Sequence, residues 1–278
     1  MNRALYRRLA NLFFVAITIV ATLIALGALV LILWSLVGKG FGGIDLQIFT
    51  MSQPAPGSEG GLANAISGSI VMCALGMAMA LAVGILAGTW LSEYGRNTPY
   101  GHVVRFLNDV LLSAPSILIG LFVYELLVRP FHGFSAWAGA VALAILATPI
   151  VTRTTEDILT LQPSALREAG MALGASQAFV IRKIVWKAAR AGLVTGGLLG
   201  FARISGETAP LLFTALGNQF FSTSLTQPMA SLPTTIFQFA LSAYDDWQRL
   251  AWVGALLIAT AVLTINIIGR IIAREARY

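Results

Sequence analysis

No charged side chain interrupts the chain from Leu12 to Val37, and that run limits the possible folds more than any other feature. About 20 apolar residues cross the hydrocarbon core of a bilayer as an α-helix. Lipid offers no partner to a backbone N–H or C=O, so a spanning segment must pair its own. The run exceeds a signal-peptide core of about 7–15 residues and reads as an uncleaved anchor. Five further apolar stretches follow, at 63–91, 104–128, 134–152, 190–216 and 250–271. Stretch 63–91 is rich in glycine and alanine, 104–128 is interrupted by Pro115, and 134–152 carries Pro149 near one end. Only 11% of the whole chain is charged, against about 25% in a soluble domain. The expectation is an all-α polytopic membrane protein with six transmembrane helices and both termini on one side.

Basic residues collect on the cytoplasmic side of membrane proteins. With both termini cytoplasmic, fourteen of the 18 Lys and Arg residues lie inside, from Arg3, Arg7 and Arg8 to Arg274 and Arg277. Only Lys39, Arg129 and Arg249 lie outside, and Arg203 falls within a span. The net charge of +6 therefore reports topology and does not point to nucleic acid. The one cysteine, Cys73, and the two histidines, His102 and His132, form no spacing that would hold a catalytic metal.

The loops differ in kind. Residues 38–60 are Gly/Pro-rich and polar, an external connector with weak structure. Residues 217–249 hold Ile236, Phe237, Phe239, Ala240 and Tyr244 after Pro233, which suits a short helix at the outer interface as well as an irregular packed loop. The inside loop 153–190 predicts a short helix, with Pro163 at its start and Gly174 at its end. Leu166, Ala169, Gly170 and Leu173 then share one small, smooth face. That face fits the groove of a partner or the surface of its own bundle.

Glu168-Ala169, with Gly174 six residues after the glutamate and Ile184 ten beyond that, resembles the EAA loop of ABC-type importer permeases. The usual Leu-Pro at the end of that motif is Trp186-Lys187 here. The resemblance covers roughly 62–272 and implies the type-1 permease fold. Residues 1–61 become an added N-terminal stub, helix and external loop, and 273–278 a cytoplasmic tail. It also implies that Glu168, Ala169 and Gly174 belong to a coupling helix that docks on a cytoplasmic ATPase. APSILIGLFVY at 114–124, RTTEDIL at 153–159, ARISGETAPLLFTALGNQF at 202–220 and QPMASLPTTIFQFA at 227–240 are similar to the phosphate-import branch of that family. The branch implies a bacterial inner-membrane location, a homologous partner permease, two ATPase subunits and an external phosphate-binding protein. No G-x-x-x-x-G-K-[ST] occurs in the chain. ATP and Mg are accordingly expected in the partner ATPase, with no cofactor bound by this chain.

Arg203 and Glu207 lie four apart and so neighbour each other on one helix face, in a segment where a charge costs several kcal/mol, on the order of 3 or more. Extended backward, the same stripe meets Gly192, Gly196 and Gly200, which admit a close helix neighbour. Pro210 cannot donate to the carbonyl of Gly206, so a kink is expected there. Arg203, Ser205, Glu207 and Thr208 are the candidate transport path, with Arg153 as a second cation. A structural ion pair for Arg203–Glu207, and a membrane anchor for Arg153, are the alternatives. Arginine suits phosphate because its planar fork matches the oxygens of an anion of about −1.5 to −2 charge. Glu207 would keep the contact weak enough for release. Sulfate or molybdate import by the same architecture is an alternative function, and an intramembrane enzyme acting on lipid phosphate a distant one.

Overall fold

A computed structural model describes residues 3–275. Met1, Asn2 and residues 276–278 of the expected tail, Arg277 among them, lie outside the described residues. The described chain is helical, with no strand. Helix α1 (Arg3–Phe41) is followed by the short α2 (Gln47–Thr50), then α3 (Ala63–Glu93) and α4 (Pro99–Ser113). Helix α5 (Ser116–Val123) runs on into a π-helical turn at Tyr124–Val128, and α6 spans Ala136–Thr160. The loop expected on the inside forms α7 (Ser164–Ala172) and α8 (Gln177–Val180), which continues through a second π-helical turn, Ile181–Val185, into α9 (Trp186–Ser205). Helices α10 (Ala209–Thr214), α11 (Leu232–Ala240) and α12 (Asp245–Glu275) complete the order.

Four of these helices, α1, α3, α6 and α12, are long and apolar enough to cross a membrane. A fifth span results if α4 and α5, bent by 104° at Ala114-Pro115, cross as one. The expected interruption at Pro115 is therefore a sharp turn. The ring removes an N–H and disfavours helical backbone at the preceding residue, and Ala114 is extended, at φ −67 and ψ 133. The expected fifth stretch, 190–216, is divided between α9 and α10.

Helices α3 and α6 form the centre of the bundle. On α3, Gly68, Met72, Gly76, Ala80, Gly84 and Gly88 recur every four residues and are buried. This row turns Gly76, Gly84 and Gly88 onto the backbone and side chains of Ala140, Val151 and Thr152 in α6. Rows of small residues let helix axes approach closely, so packing can replace the hydrophobic drive that lipid withholds. Met72, Leu143, Ala147, Val151, Ile204 and Leu211 make up the main apolar core where α9 and α10 join the pair. Pro149 stays inside α6, and the Asn108 side chain donates to its carbonyl at 3.3 Å.

The segment 217–249 does contain a short helix, and it is drawn into the protein. Helix α11 opens on a capping box between Ser231 and Thr234. Phe239 is buried and stacks on Trp247 with ring centroids 4.5 Å apart. The connector 38–60 is also more ordered than expected: α1 continues to Phe41, and Ile48 of α2 packs with Leu62, Leu232 and Val253. Helix α1 stands apart along most of its length and meets α12 at its end, where Lys39 lies 4.8 Å above the Trp252 ring.

Candidate functional site

Helix α9 carries its glycines against α6, as the spacing predicts. A Cβ added at Gly192 would meet Ile158, at Gly196 Thr154, and at Gly200 Val151. One turn beyond Gly200, the stripe reaches Arg203 in the last turn of α9, where the unpaired carbonyls favour a cation. The helix does not merely kink at Pro210. It stops at Ser205 and restarts at Ala209. Gly206 is a poor helix former, and Pro210 sits in the first turn of α10, where it needs no donor. Glu207 and Thr208 lie in the break, and the N–H groups of Leu211 and Leu212 both turn to the Thr208 carbonyl.

The break is held inside the protein by a second broken element. A Cβ on Gly120 of α5 would come within 2.6 Å of Pro210 Cα, so α5, just beyond its own turn at Pro115, backs α10. Irregular backbone at membrane depth survives only where protein or a water-lined path surrounds it.

The structure brings Arg203 and Glu207 together as an ion pair of unequal exposure. The Glu207 side chain is 8% exposed and that of Arg203 48%. A buried carboxylate needs its partner, while a half-exposed guanidinium keeps donors for another anion. Thr208 is half-buried beside them, and its hydroxyl points to the Pro233 carbonyl at 3.5 Å. Ser205 turns away from the pair into an apolar groove shared with Cys73, Met77 and Leu257. Arg153 stands apart, on α6, 3.8 Å from Asp109 and 3.5 Å from Asp157. It is a cation already flanked by two carboxylates.

The loop helix appears where the sequence places it. Helix α7 begins one residue after Pro163, and Gly174 closes it in the left-handed region at φ +78. Its proposed face divides. Gly170 is buried against Val180 and Ile184, while Glu168, Ala169 and Leu173 are exposed. One part of the face thus rests on the chain's own residues, and the rest of it is open.

Sequence reasoning passed over two charged pairs near the ends of α3 and α6. Arg105 donates to Glu156 at 2.6 Å and to the carbonyl of Leu91. Arg167 of α7 grips Glu93 with both edges of its fork, at 2.6 and 2.9 Å. Hydrogen bonding to Glu93 holds the Arg167 guanidinium above its ordinary pKa; partial burial opposes this and the carboxylate charge adds to it. No spacing rule reaches across 51 or 74 residues, so these pairs were legible only as isolated charges beside apolar runs.

Residues 80–278 match the family described as the binding-protein-dependent transport system inner membrane component. The chain is 50% identical over 269 residues to the phosphate transport system permease protein PstA of Haemophilus influenzae, covering 97% of this chain and 95% of that one. It is 51% identical to PstA of Pasteurella multocida, covering 95% of each. Among solved structures, a chain of a bacterial alginate ABC transporter in complex with its alginate-bound periplasmic protein superposes with a TM-score of 0.68 at 14% identity, over 98% of this chain and 97% of that one. A chain of the inward-facing MetNI methionine ABC transporter gives 0.63 at 19% identity, over 76% and 94%. At those identities the likeness is one of fold. Broken helices around a half-buried ion pair, an exposed loop helix and half-identity over nearly the full length agree: the chain belongs to the binding-protein-dependent transport system inner membrane components, on the branch of the PstA permeases.

Proposed function

We propose that this chain is a permease subunit of an ATP-driven importer that carries inorganic phosphate across the bacterial inner membrane. The observation that carries the reading is the half-identity, over nearly the whole length, to chains named as phosphate transport permeases. In this reading the membrane is crossed six times, with both termini cytoplasmic. Helices α9 and α10 together make the fifth crossing, and the bent pair α4–α5 the third. A homologous permease completes the path, an external phosphate-binding protein delivers the anion, and two cytoplasmic ATPase subunits use ATP and Mg. Arg203 offers its free N–H groups to the passing phosphate. Buried Glu207 holds the guanidinium in place and limits how tightly the anion stays.

The test is ATP hydrolysis by the reconstituted complex with binding protein supplied phosphate-loaded, sulfate-loaded or molybdate-loaded. Phosphate-loaded protein is expected to stimulate hydrolysis, and the other two to leave it near the basal rate. Stimulation by sulfate or molybdate alone would reassign the substrate.

The same reading makes α7 the surface on which an ATPase subunit docks. Ala169 is exposed on it, and a groove that grips a small residue has no space for an indole. Ala169→Trp should insert in the membrane normally yet lose the ATPase subunit on purification. Gly174 is the poorer probe, since any side chain at φ +78 strains the backbone whatever docks there. An ATPase that co-purifies undiminished with Ala169→Trp would move docking off α7.

A further inference from the structure

Helix α7 is tied to the membrane-spanning bundle through one side chain that uses most of its donors. The Arg167 guanidinium donates to both carboxylate oxygens of Glu93, to the Leu159 carbonyl at 2.8 Å and to the Gln162 carbonyl at 2.9 Å. Glu93 is the last residue of α3, and Leu159 lies in the last turn of α6. Each end is electrostatically negative. The carbonyl dipoles of both helices point out of these ends, and α3 adds a carboxylate that is only 4% exposed. A buried carboxylate at a helix C-terminus is unfavourable by itself, so the cation from α7 is what makes this arrangement stable.

A second observation pins the other side of the same loop. The Trp186 indole N–H, at the start of α9, donates to the Thr89 hydroxyl at 3.1 Å. Thr89 precedes Glu93 by one helical turn, so the last turn of α3 receives a hydrogen bond from each side of the loop that holds α7. Trp186 is also where the sequence departs from the Leu-Pro usual in the EAA motif. An indole can reach Thr89 with a donor; leucine has none. Between these two points, α7 packs through Gly170 onto Val180 and Ile184, which belong to the same loop.

We infer that Arg167, with Trp186 as its counterpart, is the joint that makes α7 and the last turns of α3 and α6 move as one body. Through it, displacement of α7 by the ATPase is passed to the central helix pair. The inference rests on the docking reading of α7. Arg167 touches neither phosphate nor ATP and acts as a positioning residue. A planar fork bound to a carboxylate and two carbonyls resists rotation, whereas a single ammonium does not.

The test uses the complete complex, with partner permease, ATPase subunits and binding protein, in proteoliposomes. Inorganic phosphate taken up per ATP hydrolysed is the readout. Arg167→Lys keeps a positive charge beside Glu93 and removes the fork. The complex is expected to assemble and hydrolyse ATP, while uptake per ATP falls about fivefold or more, the lower end of coupling between linked sites. Trp186→Phe, which keeps a ring and removes the donor, should lower the same ratio by less. If charge compensation were the whole role of Arg167, lysine would restore it, and full uptake per ATP in Arg167→Lys overturns the joint. Failure of Arg167→Lys to assemble also overturns it and assigns the pair to stability alone. Ala169→Trp separates the two readings: an ATPase that still assembles there removes docking on α7, and the joint with it, whatever Arg167→Lys does.

Discussion

Arg203→Gln is expected to reduce phosphate uptake to near background while the complex still assembles and hydrolyses ATP. Glutamine keeps polarity and much of the length but removes the fixed charge. Hydrogen bonds to charged groups contribute about 1.5–3 kcal/mol, so their loss along the path corresponds to roughly 10- to 100-fold in rate. The single variant also leaves Glu207, 8% exposed, without its partner, which by itself lowers stability. The double variant Arg203→Gln, Glu207→Gln separates the two effects. It removes the orphaned carboxylate, so the amount of folded subunit should recover. Uptake should stay low, because nothing remains to meet the anion. Glu207→Gln alone leaves Arg203 unopposed; phosphate should then bind longer and cross more slowly. Uptake restored in the double variant would show the pair to be structural and end the pathway role of Arg203.

The asymmetry behind that expectation was only half legible in the sequence. Four-residue spacing was enough to pair Arg203 with Glu207 and to align both with Gly192, Gly196 and Gly200 on one stripe. It could not say that the stripe stops at Ser205, because that depends on Gly206 and Pro210 acting together within two turns. Ser205, two residues from each member of the pair, falls on the other side of a helix by the same spacing rule, and the structure has it lining the groove with Cys73 and Leu257. Arg153 was legible as a cation near the end of a span, with Asp157 four residues on along the same helix, but Asp109 was not, since it comes from α4.

The loop shows the opposite balance. Pro163, Gly174 and the small face between them placed α7 to within two residues, because helix ends are set by local backbone chemistry. What holds α7 to the bundle was invisible, because Arg167 and Glu93 meet only after α3 and α6 have packed. The same limit applies to that packing. Stretch 63–91 was readable as glycine- and alanine-rich, and its four-residue ladder stands in the sequence. Its partner, however, is named only by the fold.

That ladder carries the other large expected effect. Gly88→Leu should prevent folding of the subunit, whereas Gly27→Leu should leave it intact. A Cβ at Gly88 would lie 2.5 Å from the Thr152 carbonyl oxygen and 2.6 Å from Thr155 Cβ. The first of these is backbone, so relief requires α3 and α6 to move apart along a seam that includes Gly76 and Gly84. Overpacking a tight interior costs about 1–3 kcal/mol or more, and a leucine adds three further carbons beyond the clashing Cβ. Around Gly27, in the exposed stretch of α1, nothing lies within 4 Å of an added Cβ. Alanine sharpens the comparison, since it improves helix propensity over glycine by about 1 kcal/mol at either position. Gly27→Ala should therefore be neutral or mildly stabilising, and Gly88→Ala destabilising against that propensity. Yield of folded subunit and Tm in detergent measure both. A Gly88→Leu subunit with wild-type yield and Tm would mean that α3 and α6 are not in contact along this row, and the centre of the bundle would have to be drawn elsewhere.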